Sequence, residues 1–77
     1  MKAAILVFTE AGKFDKVVGK LKKIRGVKHA FVVAGRADVA ALVEVQDLKG
    51  LSNVVLKIIR TPGVTASETL VEVQRGR

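Results

Sequence analysis

The sequence predicts an α+β fold of order βαββαβ, a four-stranded antiparallel sheet with two helices on one face. Three observations carry that prediction. Four short apolar runs with β-branched and aromatic members are separated by turn residues, as strands are. Two further stretches repeat apolar residues at helical spacing. The two halves also echo each other: Leu21-Lys22-Lys23-Ile24-Arg25 leads to Gly26-Val27, and Leu56-Lys57-Ile58-Ile59-Arg60 leads through Thr61-Pro62 to Gly63-Val64. Two similar βαβ units side by side give the ferredoxin-like plait.

Each element follows from local chemistry. Lys2 to Thr9 (KAAILVFT) is the first strand, broken by Glu10-Ala11-Gly12. From Lys13 the apolar residues fall at Phe14, Val17, Val18, Leu21 and Ile24, one face of a helix that carries lysines elsewhere and stops near Arg25 before Gly26. Val27 to Ala34 is the second strand and Val39 to Gln46 the third. Asp47 suits the N-cap of a second helix with apolar positions Leu48, Leu51, Val55, Ile58 and Ile59. That helix ends near Arg60, because Pro62 disfavours helical geometry at Thr61. Val64 to Gln74 is the fourth strand, and Arg75-Gly76-Arg77 reads as a frayed tail. The whole chain, residues 1–77, reads as one domain.

Two helices cover only one face of such a sheet, so the other face should alternate to polar. It does not: Ala3, Ile5 and Val7 oppose Ala4, Leu6 and Phe8, and the second and third strands are apolar on both parities as well. An uncovered apolar face calls for a partner, most simply a second copy in a two-fold dimer with the sheets face to face.

The composition narrows the chemistry. There are no cysteines, one histidine and seven scattered carboxylates. No disulfide, thiolate metal site or cysteine nucleophile is available, and neither a metal nor another cofactor is expected. His29 shares strand parity with Phe31 and Val33, which suits an interface or core residue better than a general base. We therefore expect no enzyme. No apolar run approaches the length of a membrane span and no signal peptide is visible, so the expected location is cytoplasmic. The net charge of +7 concentrates locally: Lys13, Lys16, Lys20, Lys22, Lys23, Arg25 and Lys28 are opposed only by Asp15. This run reads either as a solvated helix face or as a site for nucleic acid or an acidic partner.

The remaining candidate is the turn Gly35-Arg36-Ala37-Asp38. Glycine and aspartate are ordinary turn residues and need no ligand to explain them. The segment Gly26 to Asp38 (GVKHAFVVAGRAD), the Asp47-Leu48 helix start and Arg60-Thr61-Pro62-Gly63-Val64 leading to Thr69-Leu70 nevertheless resemble the ligand-sensing domain of the Lrp/AsnC regulators. That domain is also called the RAM module, for regulation of amino-acid metabolism. The resemblance runs from Ala3 to about Gln74.

The resemblance implies a dimer through the sheets, assembly of dimers into rings such as octamers, and an effector amino acid bound between dimers near this turn. Gly35 would let the backbone approach the ligand, and Asp38 would pair with its ammonium group. Backbone N–H groups of the Arg36-Ala37 turn, helped by the Arg36 side chain, would receive its carboxylate. Thr65, Ser67 and Thr69 match a hydroxyl-rich stretch of the family. The chain starts at the first strand with no helix-turn-helix domain, so it resembles the stand-alone module, and direct reading of operator DNA is not expected. The implied function is a non-enzymatic amino-acid-binding module of transcriptional regulation, acting by co-assembly with full-length regulators. The alternative is a non-specific nucleic-acid or acidic-partner binder using the basic first helix.

Overall fold

In the computed structural model, which describes residues 1–74, the elements run β1 (Lys2–Thr9), α1 (Phe14–Leu21), β2 (Val27–Val32), β3 (Val39–Glu44), α2 (Leu48–Ile59) and β4 (Val64–Val71). The strands form one antiparallel sheet of order β2-β3-β1-β4. This is the predicted plait. The Arg75–Arg77 tail lies outside the described residues.

The core lies between the sheet and the helices. Ile5 and Val7 of β1, Val39 and Ala41 of β3, Val17 and Leu21 of α1 and Ile58 of α2 are wholly buried there. Asp47 caps α2 as expected, its carboxylate accepting from the Gly50 N–H at 2.9 Å. The apolar seam of α2 is Leu51, Val54 and Ile58 at i, i+3, i+7. Two expected core positions fail: Leu48 and Ile59 are largely exposed, while Leu51 and Ile58 are buried as expected, Val54 joins them and Val55 packs partly buried at the core's edge.

Regular α1 ends at Leu21, four residues short of the expected end. The chain tightens there, with Lys23 and Ile24 donating three residues back to Lys20 and Leu21, which keeps Ile24 against the core. Gly26 then takes φ +100°, and Gly63 after α2 takes φ +98°. Each glycine meets a valine of the opposite half: a Cβ on Gly26 would lie 3.0 Å from Val54 Cγ2, and one on Gly63 would lie 3.0 Å from Val17 Cγ2. The sequence repeat is therefore also a repeat of packing.

Strands β2, β3 and β4 are shorter than predicted, though Val33, Val45 and Glu72 still donate ladder-like bonds beyond the regular pairing. Register shifts place bulges at Lys28 of β2 and Thr65 of β4. On the face without helices, the paired rows are His29–Leu42–Ala4–Leu70 and Phe31–Ala40–Leu6–Glu68. Phe31, Leu42 and Leu70 are 43%, 39% and 48% exposed, so this face is apolar at its centre and open.

Candidate ligand-binding site

The β2–β3 hairpin closes where the Val33 N–H donates to the Asp38 carbonyl at 3.0 Å, leaving residues 34–37 as its loop. Gly35 supplies φ +145°, and a Cβ there would meet nothing within 4 Å, so backbone conformation is what requires glycine. Ala37 is buried and pins the loop to the body of the domain. Asp38 joins the turn to β1 twice. Its N–H donates to the Val7 carbonyl at 3.1 Å, and its Oδ2 accepts the Thr9 N–H at 2.8 Å.

The end of β1 and the start of β4 meet the turn at this end of the sheet. Thr65 Oγ1 donates to the Phe8 carbonyl at 3.2 Å, and the Glu10 N–H donates to the Gly63 carbonyl at 2.9 Å. Arg36 reaches β4, with Nη2 3.0 Å from Glu68 Oε1 while its side chain stays 73% exposed. A cation and a carboxylate thus stand side by side at the rim of the open sheet face. Such a pair suits a zwitterion, whose two charges are complementary to them.

Five of the seven nominated residues therefore gather at one end of the sheet: Gly35, Arg36, Ala37, Asp38 and Thr65. Ser67 and Thr69 do not. They pair with Val7 and Ile5 on the helix side, and Thr69 lines a shallow hollow of about 380 Å³ with Leu48, Leu51 and Leu56. Sequence reasoning missed Thr9 and Glu68. Strand alternation could have placed Glu68 on the face opposite Ser67 and Thr69, but only the β1–β4 register brings it to Arg36.

His29 is exposed in the edge strand and lines a hollow of about 510 Å³ on the open face with Ala4, Leu42 and Leu70. Among the described residues no group of three His, Cys, Asp or Glu is placed to hold a metal ion. Nor, among these residues, is any helix long and apolar enough to cross a membrane.

The chain is a small βαββαβ plait that carries a charged hairpin turn at the rim of an open sheet face. The chain belongs to the Lrp/AsnC ligand binding domain family, whose model matches residues 2–75. That family is one of ligand-binding domains and not of enzymes. Among solved structures, the hypothetical protein PHS023 from Pyrococcus horikoshii is 35% identical with a TM-score of 0.86, the match covering 96% of this chain and 90% of that one. FFRP-DM1 is 36% identical with a TM-score of 0.87, over 94% of this chain and 97% of that one. AsnC from E. coli shares the fold at a TM-score of 0.88 and 21% identity; 96% of this chain covers 51% of it. No curated protein matches.

Proposed function

We propose that this domain is an amino-acid-sensing module of transcriptional regulation, which takes its ligand at the Gly35–Asp38 turn and works as an assembly. The observation that carries the reading is the Arg36–Glu68 pair, which sets opposite charges 3.0 Å apart between the turn and β4, at the rim of an apolar sheet face. Family membership supports a small-molecule ligand.

The chemistry of the turn supports an α-amino acid in particular. Arg36 is the donor for a carboxylate, in the fork geometry that guanidinium groups offer. Asp38 and Glu68 are the two acceptors for an ammonium group. One oxygen of Asp38 is committed to Thr9, so Glu68 carries more of that role than the resemblance alone implies. Thr65 stands close by as a hydroxyl partner. Ser67 and Thr69 lie on the helix side and take no part in this site.

The open sheet face supports a two-fold dimer, because the exposed Phe31, Leu42 and Leu70 would be covered by a second copy. Dimers then meet at their rims, where the turns lie, and a ligand held there stabilises a ring of dimers. Co-assembly with full-length regulators of the same family extends that logic.

Calorimetry across the twenty amino acids tests the reading. Saturable binding of one or a few of them, abolished in Arg36→Ala, supports it. No binding at millimolar ligand removes the sensing function.

A further inference from the structure

The fold sorts charge between its two faces. Lys13, Lys16, Lys20, Lys22, Lys23 and Arg25 belong to α1 and its exit, and Lys49, Lys57 and Arg60 to α2 and its end. Lys28, the bulge residue of β2, lines one hollow with Lys22 and another with Arg25 and Lys57; Glu44 of β3 lines the second of these too, and both residues also reach the hollow of the open face, so they sit at the rim between the two. Counted with the helices, these ten cations stand against four carboxylates, Glu10, Asp15, Glu44 and Asp47, an excess of six out of the net charge of +7. The remaining four cations, two of them in Arg75–Arg77 outside the described residues, stand against three carboxylates. All ten helix-side cations are exposed, and none forms an ion pair among the described residues.

The arrangement is ordered around α1. Lys13, Lys16 and Lys20 follow one another at i, i+3 and i+7 along one stripe and together line a hollow of about 190 Å³ with Pro62 and Gly63, its one carboxylate being Glu10. At a rise of about 1.5 Å per residue the stripe is roughly 10 Å long. That length spans about three successive phosphates of one strand of duplex DNA, which recur every ~3.4 Å along the axis. Lys22, Arg25, Lys28 and Lys57 continue the charge toward β2 and the end of α2.

We infer that the helix face is a binding surface for the phosphodiester backbone of a nucleic acid, independent of base sequence. Charge complementarity is the argument. Nine of the ten cations on the helix side lie on the helices and their exits, unneutralised, and nothing there is shaped to enter a groove and read bases. An acidic protein fits less well. Protein interfaces are anchored by aromatic and apolar side chains and are poor in lysine, whereas around α1 the one exposed large apolar residue is Phe14. The exposed Leu48, Leu56 and Ile59 belong to α2, which packs on β4 at the opposite edge of the sheet from β2, whereas α1 packs on β2. The basic face also lies on the opposite side of the sheet from the apolar face. A sheet-to-sheet dimer would leave two such surfaces pointing outward, although the inference does not depend on that dimer.

Fluorescence anisotropy with labelled duplex DNA of about 20 base pairs, and with single-stranded RNA of similar length, tests this across a salt series starting near 50 mM. The expected result is binding that is indifferent to sequence and loses affinity with a logarithmic salt slope of about −3 or steeper. Binding of either nucleic acid sustains the inference, and their relative affinity tells which is the natural form. Lys16→Glu/Lys20→Glu should weaken binding at least tenfold with an unchanged circular dichroism spectrum. Lys2→Glu, a charge reversal on β1 outside the helices, should change it less than twofold per charge reversed. Absence of saturable binding at low salt, indifference to the Lys16/Lys20 reversal, or displacement by polyglutamate at equal charge would each overturn the inference.

Discussion

Asp38 Oδ2 accepts the Thr9 N–H at 2.8 Å, tying the tip of the β2–β3 hairpin to the last residue of β1. The carboxylate that the family resemblance points to for an ammonium group is thus also a structural clamp. A carboxylate receiving a backbone N–H contributes roughly 1.5–3 kcal/mol when partly shielded from water. Asp38→Ala should therefore destabilise the domain by about 1–2 kcal/mol, and Asp38→Asn by less, since its amide oxygen can still accept. Urea denaturation of the three proteins checks this. Loss of ligand binding in Asp38→Ala alone would then be ambiguous between site and scaffold.

Arg36 separates the two. Its pairing with Glu68 is solvent-exposed at 73% and 39%, and exposed ion pairs contribute little to stability. Arg36→Ala should change unfolding free energy by less than about 0.5 kcal/mol while removing the carboxylate donor. Equal melting curves for the two proteins, with binding lost only in the variant, is the expected outcome.

Much of this architecture was legible in the sequence because its signals are local. Element order came from apolar periodicity, the α2 start from Asp47, and the helix exits from Gly26 and Pro62-Gly63. What was not legible depends on partners distant in sequence. The bulges at Lys28 and Thr65 are properties of strand pairs, and the deeper burial of Val54 than of Val55 depends on how α2 rolls against the sheet. In the site, the turn was visible from Gly35 and Asp38. The separation of Thr65 from Ser67 and Thr69 and the Arg36–Glu68 pair needed the β1–β4 register, and the second duty of Asp38 needed the β1–β3 pairing.

The repeated glycines give a sharper test of the internal symmetry. Gly26 and Gly63 combine positive φ with valine atoms 3.0 Å from where a Cβ would stand. Gly26→Ala and Gly63→Ala should each cost about 1–3 kcal/mol through backbone strain and crowding. Gly19 is exposed within α1 with nothing within 4 Å of a Cβ, so Gly19→Ala should stabilise by about 0.5–1 kcal/mol. Thermal melts of the three variants should divide by sign.

The open sheet face makes a prediction of its own. Leu42 and Leu70 flank Ala4 in one row and are 39% and 48% exposed in the single chain. If a second copy covers them, Leu42→Glu or Leu70→Glu introduces buried unpaired charge and should reduce the sedimenting species to monomer. The fold of the single chain should survive, since neither side chain lies in the core between sheet and helices. A wild-type monomer at micromolar concentration would instead remove the dimer from the account.

A ligand bound at the Gly35–Asp38 turn would be sensed first by the amides of that turn. Amide chemical-shift mapping during titration with each amino acid tests this residue by residue. The expected result is saturable shifts, for at least one amino acid, centred on Gly35, Arg36, Ala37 and Asp38 and extending to Thr9, Thr65 and Glu68. Shifts confined to the hollow around His29 or to the Thr69 side of α2, or no saturable shifts with any amino acid, would contradict it.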